Sequence, residues 1–363
     1  MSKTRGDGGL IPGGLVFSEQ FESFAGKELV NAVREITPVD PDPVMNVGGP
    51  SIVALIHAAQ LLHDTGTRVQ YHGARGDDGP GGFLQEQLEK TPVNVENLKI
   101  LPGATPSTIV LSDPEFSGGH GERAFINDIG VAWQVGPDDL DSSFFDADVV
   151  VFGGTALVPG LHDHLTGLLK KAKANGCLTV VNTVYDFRSE IRDPGGTWPL
   201  GREEEAYPWI DLLITDLEEA LHMSGEKEAP LACRHLSEKG VSALLVTRGT
   251  DPTLACSDGR VLGPLSLQSF PISKKLVCDL QDTRGGDTTG CGDNFAGGVL
   301  ASLAWQMMKG AGQPELLECL AWGTVSGGHC CFHVGGTFVE TRPGEKLGRI
   351  RPYFEAYMKQ IDA

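Results

Sequence analysis

Residues 287–304 read DTTGCGDNFAGGVLASLA. Gly290, Cys291 and Gly292 make a tight loop, and a helical stripe follows, with Phe295, Val299 and Leu303 at i, i+4 and i+8. A loop of such small residues just ahead of a helix lets successive backbone N–H groups point the same way. Together with the unpaired N–H groups of the helix start they make a cradle for an anion such as phosphate. Asp293 falls at the helix start, where the dipole favours a carboxylate. A carboxylate beside an anion cradle suits phosphoryl transfer to a hydroxyl, one accepting the proton and the other stabilising the charge on the moving group. The same residues also fit a plain turn closed by a capping aspartate, so the segment alone leaves both readings open.

The surrounding chain alternates strands and helices. DVVVFGG (148–154), LTVVN (178–182), DLLIT (211–215) and ALLVTRG (243–249) are near-continuous apolar runs, as strands buried on both faces of a parallel sheet require. Between and after them, 161–176, 217–225, 293–308 and 316–332 carry helical patterns. Upstream, SIVALIHAAQLLH (51–63) predicts a helix, VQYHGA (69–74) a strand running into the turn GDDGPGG, and FLQEQLEK (83–90) a second helix. STIVL and ERAFI, separated by a turn-rich DPEFSGGHG, predict a hairpin within 100–127. The first fourteen residues read as loose, and 15–45, ending in the Pro-rich PVDPDP, as irregular or edge structure. With no repeat, low-complexity tract or linker, 1–363 reads as one unit.

Composition narrows the function. The 48 glycines in 363 residues, about 13% against an average near 7%, cluster in pairs between apolar runs, as loops of an α/β enzyme do. The net charge of −19 disfavours nucleic acid and anionic membrane as partners. No apolar run reaches the length of a transmembrane helix, and MSKTRGDGGL lacks the core of a signal peptide. Eight cysteines without regular spacing read as reduced thiols of a cytoplasmic protein. There is no P-loop, since Gly26 and Lys27 are followed by Glu28, and no G-x-G-x-x-G, G-x-S-x-G or H-E-x-x-H. HCCFH (329–333) reads as structural thiols in a buried helix, because adjacent Cys330 and Cys331 diverge by about 100° on a helix and no second ligand pair follows. GDDG (76–79) reads as a polar turn or an acidic pair, and His57, His63 and His72 as helix or strand-end residues.

The 287–293 stretch resembles the second signature of the ribokinase-like (PfkB) carbohydrate kinases, D-T-x-G-A-G-D before a helix, with Cys291 where alanine is usual. The resemblance implies a three-layer α/β/α sandwich with a mainly parallel sheet and a small β lid, drawn from parts of 15–45 and 95–130. It implies ATP-dependent transfer of the γ-phosphoryl group to a hydroxyl of a sugar-like substrate, with Asp293 as base and Gly290, Cys291 and Gly292 completing the anion hole. NVGGPSIVALIHAAQLL (46–62) resembles the family's first region, so Asn46, Gly48 and Gly49 are implied at the substrate, although Ile52 and Val53 stand where asparagine is frequent. HGARGDDGPGGFLQEQL (72–88) resembles the G-x-x-G-D-D-x-x-G segment, and Gly121, Glu122 and Arg123 the G-E-R of a lid strand. Asn182 replaces a usual aspartate, and Asp216 with Glu219 stands for N-x-x-E, implied to place Mg²⁺ through water. Thr247 and Gly249 match the T-x-G strand end, and Gly335 and Gly336 a glycine loop, both implied at the nucleotide.

The ribokinase branch further implies a monovalent cation, K⁺, near Asp287 and Thr289, and the family a homodimer through the lid. The family's opening strand, with an acid that holds the sugar, corresponds at best to LIPGGLVFSE (10–19), with Ser18 or Glu19 near the acid. Two other readings stay open. A nucleoside kinase of the same fold fits Phe17, Phe21 and Phe24, and a catalytically weak sugar- or nucleotide-binding protein fits the altered substrate positions.

Overall fold

The structure, a computed structural model, describes residues 8–11, 14–37, 45–113, 122–201, 204–281, 286–310 and 312–362. The first seven residues, the PVDPDP stretch and Gly121 lie outside them.

The chain begins with β1 (Leu15–Phe17), α1 (Ser18–Ala25), α2 (Leu29–Ile36) and α3 (Pro50–Leu61). Next come β2 (Gln70–Gly76), α4 (Gly79–Leu88), β3 (Asn94–Leu101), β4 (Ser107–Asp113) and β5 (Glu122–Asp128). The alternating part holds β6 (Val149–Gly153), α5 (Pro159–His162), α6 (Leu165–Ala174), β7 (Leu178–Asn182), α7 (Phe187–Arg192) and β8 (Leu212–Asp216). After it come α8 (Leu217–Ser224), α9 (Ala229–Glu238), β9 (Ala243–Arg248), β10 (Asp251–Ser257) and β11 (Leu265–Phe270). Four helices close the chain: α10 (Lys274–Gln281), α11 (Cys291–Lys309), α12 (Leu316–Cys330) and α13 (Glu345–Ile361).

Strands β6 to β9 pair in parallel, and β10 and β11 add an antiparallel edge. Successive side chains on a strand face opposite ways, and both faces are covered. Val180, Leu212, Ile214 and Leu245 enter a core with α3 and α10 to α13. Val181, Leu213, Leu244 and Val246 enter a second core with α6, α8 and α9. That division explains the near-continuous apolar runs, since both faces are buried and the few polar side chains buried in β7 and β8 are those of Thr179, Asn182 and Thr215.

The 15–45 stretch, expected as irregular or edge structure, holds an edge strand, β1, followed by two helices. Phe21 and Ala32, from α1 and α2, pack with Val16, Ala124 and Ile126 into a small core. The strand at 10–19 is only three residues long and pairs in parallel with β5, which also pairs with β4. Ser18 and Glu19 therefore sit in the first turn of α1 rather than at the end of a strand in the large sheet. The helix expected over 161–176 is broken at Asp163 and His164, where Asp163 pairs with Arg188 at 2.6 Å.

Two sheet edges face a gap. β6 ends the six-stranded order, and among the described residues β2 pairs only with β3. A cleft of ≈ 200 Å³ lies between them, lined by Tyr71 to Ala74 and by Val151 to Gly154, with Gly48 and Gly49 at the start of α3.

Candidate active site

In an open parallel sheet ligands bind beyond the carboxyl ends of the strands. Gly153, Asn182 and Asp216 end β6, β7 and β8 and Thr247 is the last but one residue of β9, with Gly153 opposite Asn182 and Asp216 opposite Thr247. Asn182 is buried there. Asp216 and Glu219 form a reciprocal cap of α8: Asp216 Oδ1 accepts from the Glu219 N–H at 2.8 Å, and Glu219 Oε2 from the Asp216 N–H at 3.2 Å. Glu219 Oε2 also accepts from the hydroxyls of Thr183 at 2.5 Å and Thr215 at 3.2 Å. Burial, then the charge of Asp216, pushes the Glu219 carboxyl up to about 8, and burial raises Asp216. Two carboxyl groups held close against desolvation and mutual repulsion are an oxygen donor set that a hard divalent cation takes. Thr247 donates to the Thr215 carbonyl at 3.4 Å, and Gly249, at φ 60°, turns the chain from β9 into β10.

The second group gathers at the start of α11. Gly290 is left-handed at φ +76°, and a Cβ there would lie 2.4 Å from Gly336 Cα. The 290 turn and the 334–337 loop therefore touch backbone to backbone. Asn294 ties them together, its Nδ2 donating to the carbonyls of Gly290 at 2.8 Å and Gly336 at 2.7 Å. With the amide nitrogen facing two carbonyls, its oxygen is the acceptor. His57 Nδ1 lies 2.5 Å from that oxygen and so carries the proton, which joins α3 to the same knot. Burial holds His57 well below its ordinary pKa, so it stays neutral.

Asp287 Oδ1 accepts from Thr289 N at 2.8 Å and from Gly335 N at 3.3 Å. Asn46 donates to the Val334 carbonyl at 3.2 Å, and Thr337 to the Val47 carbonyl at 3.1 Å. The side chain of Asn46, implied at the substrate, thus braces this loop. Arg123 reaches across from β5, its guanidinium donating to the hydroxyls of Thr288 and Thr289 and lying 3.8 Å from Asp287 Oδ1. A cation is thereby set beside the turn.

Asp293 lies in the first turn of α11. Burial pushes its carboxyl up to about 6. At neutral pH it is ionised, yet more basic than an ordinary carboxylate, as a proton acceptor needs to be. The acidic pair of GDDG holds backbone instead. Asp78 caps α4 through Gly81 N at 2.9 Å and accepts from Thr105 N at 2.9 Å, while Asp77 accepts from Gly103 N at 3.0 Å.

Sequence reasoning missed Asn294 and the meeting of HCCFH with the turn. Asn294→Ala takes the side-chain partner from the Gly336 carbonyl and the His57 N–H, while the Gly290 carbonyl keeps the backbone N–H of residue 294 at 2.9 Å. At about 1–3 kcal/mol for each buried unsatisfied group, the expected loss is about 3 kcal/mol by denaturant unfolding. A loss below about 1 kcal/mol would show that the knot does not hold the turn.

A carboxyl and a glycine turn at the start of α11, and a carboxyl pair at the end of β8, are groups that a phosphotransferase of α/β fold would use. The chain belongs to the pfkB family of carbohydrate kinases, whose description it matches over residues 40–342. A 2-dehydro-3-deoxygluconokinase of Thermoproteus tenax is 27% identical over 244 residues, 65% of this chain and 67% of that one. The adenosine kinase of Sinorhizobium meliloti superposes with a TM-score of 0.69 at 20% identity, over 94% of this chain and 90% of the other. A putative ribokinase II from E. coli, in complex with ATP and Mg²⁺, gives 0.61 at 18%, over 88% and 93%. The fold is ribokinase-like, and no helix of the described residues is long and apolar enough to cross a membrane.

Proposed function

We propose that this chain transfers the γ-phosphoryl group of Mg-ATP to a hydroxyl of a sugar or sugar acid. The observation that carries the reading is Asp293, a carboxyl raised to about 6 in the same helix turn as the N–H groups of Gly290 to Gly292. Asp293 takes the proton of the attacking hydroxyl. The N–H groups of the turn, with Arg123 nearby, stabilise charge on the transferring phosphoryl. When bound, Mg²⁺ supplies neutralisation of the ATP phosphates, and Asp216 and Glu219 would hold it through water. Asn182, Thr247 and Gly249 at the strand ends and Gly335 and Gly336 in the loop line the nucleotide and substrate approaches in this reading. The sheet of β1, β4 and β5 acts as the lid that carries Arg123 in.

The name of the Thermoproteus relative favours a sugar acid. A nucleoside is the second reading, favoured by an aromatic group at the edge of β1. There Phe17 lies 3.9 Å from Phe187, whose ring meets Trp133 edge-on at 6.4 Å, with Trp133 56% exposed. ADP release from Mg-ATP across sugars, sugar acids, inositols and nucleosides decides between them. A sugar or sugar acid is expected as the acceptor, and turnover confined to nucleosides would reverse the choice. Activity compared in K⁺ and Na⁺ tests a monovalent cation at Asp287 and Thr289. Phe24, Val30, Ile36 and Val110 leave apolar side chains on the lid surface and support a dimer there, which sedimentation tests.

A further inference from the structure

Three cysteines meet behind the α11 turn. Cys291 is the first residue of α11, and its Sγ lies 3.4 Å from the Sγ of Cys331, which caps α12. Cys330 is buried beside them, its thiol donating to the Thr289 carbonyl at 3.2 Å and accepting from Asn294 Nδ2 at 3.4 Å. All eight cysteines are free thiols. Cys291 and Cys331 are only half-buried, so a small solute reaches them, whereas Cys330 is enclosed. Phosphoryl transfer uses no thiol here, because Cys291 enters the cradle through its backbone N–H alone.

We infer that Cys291 and Cys331 form a reversible disulfide when exposed to a peroxide, and that this bond disables the anion cradle. The hydrogen bond from Cys291 lowers the pKa of both Cys331 and Cys330, and since Cys330 is buried while Cys331 is partly exposed, Cys331 is the thiol that peroxide meets first. Its thiolate attacks one peroxide oxygen, the O–O bond breaks, and the departing hydroxide takes a proton and leaves as water. Cys331 is then a sulfenic acid. The Cys291 sulfur attacks it, loses its proton, and expels the hydroxyl as a second water. Two thiols and one hydrogen peroxide thus become one disulfide and two waters, with two electrons passed to the peroxide. The sulfurs must close from contact to about 2.05 Å. That draws the first residue of α11 toward the end of α12 and moves the Cys291 N–H out of line with the phosphate. A misplacement of about 1 Å in a positioned group costs about a hundredfold.

The test is peroxide treatment of the reduced chain, digestion without reductant, and mass spectrometry, with Mg-ATP affinity measured by calorimetry before and after. Expected are a peptide pair linked through Cys291 and Cys331, an affinity lower by about tenfold or more, and recovery with dithiothreitol. Cys331→Ala, or Cys331→Ser if the alanine variant fails to fold, keeps its affinity through the same treatment. A missing cross-link, or equal loss in the Cys331 variant, overturns the inference. It rests on the nucleotide site of the proposed function, and the two fail separately. Absence of Mg-ATP binding in the reduced chain overturns the kinase reading, whereas binding without the cross-link overturns only the disulfide.

Discussion

Asp293→Asn lowers turnover by about a thousandfold, within the 10²–10⁴ range for removal of a general base, while Mg-ATP affinity stays within about threefold. The asparagine keeps the size of the side chain and its place at the helix start but accepts no proton. The cradle of N–H groups is untouched, so the nucleotide still binds. Stability moves the other way from activity. Folding raises this carboxyl to about 6, so the folded state binds its proton more tightly than the unfolded chain. Stability from this group is therefore fully present below the unfolded pKa, falls as pH rises through the folded one, and is lowest where the group is charged. Removing the charge at neutral pH relieves that cost, so the melting temperature of Asp293→Asn is equal to or above that of the wild type. A variant that loses turnover together with stability would point to a structural cap rather than a base.

Gly290→Ala has the second largest expected effect, and it falls on both stability and activity. A left-handed backbone costs an alanine about 1–2 kcal/mol. The new Cβ would also lie 2.4 Å from Gly336 Cα, a backbone atom that no rotamer change can move aside. Forced overpacking adds about 1–3 kcal/mol, so the expected loss is about 3 kcal/mol, with turnover reduced at least about tenfold by the displaced N–H groups. Gly292→Ala is the matched control. It lies within α11, its φ is not left-handed, and a Cβ there meets nothing within 4 Å. Alanine is favoured over glycine in a helix by about 1 kcal/mol, so stability holds or rises while the added methyl crowds the phosphate. Denaturant unfolding with Mg-ATP calorimetry on both variants separates the two effects. Equal stability for the two would show that the contact between the 290 turn and the 334–337 loop contributes nothing to the fold.

The parts legible in the sequence are those whose local pattern and tertiary environment agree. LTVVN (178–182) forms β7 over the residues expected, because both faces of that strand are buried and every position is apolar except the hydrogen-bonded Thr179 and the terminal Asn182. The Gly-Cys-Gly turn of 290–292 marks the start of α11, one turn earlier than the apolar stripe alone suggests. Other elements carry a weaker pattern. β10 and β11 are held by antiparallel pairing at the sheet edge, with bulges that break the alternation of side chains. α13 contains Pro352, which reads as a breaker, and it is held by packing Ile350 and Tyr357 into the core. α1 and α2 are short and largely exposed, and their buried side comes from packing against Leu10 and the sheet of β1, β4 and β5.

The site divides in the same way. The Asp287 to Asp293 segment is local and readable. The spacing of Asp216 and Glu219 is readable too, although the same spacing is also a capping box. Asn294, His57 and the pairing of Cys291 with Cys331 are joined across 237 and 40 residues of chain. No periodicity records such contacts. The HCCFH segment reads as thiols of a buried helix, and its two cysteines do stand at the end of α12, but their contact with the 290 turn is not in the pattern.

The role of Asp293 as base is tested most directly by the pH dependence of kcat/KM on the best acceptor, from about pH 4.5 to 8.5. Expected is an acid limb with an apparent pKa near the value of about 6 held by Asp293, and no such limb in the residual activity of Asp293→Asn. A wild-type profile that stays flat through this range, or an acid limb that survives in the variant, would contradict it.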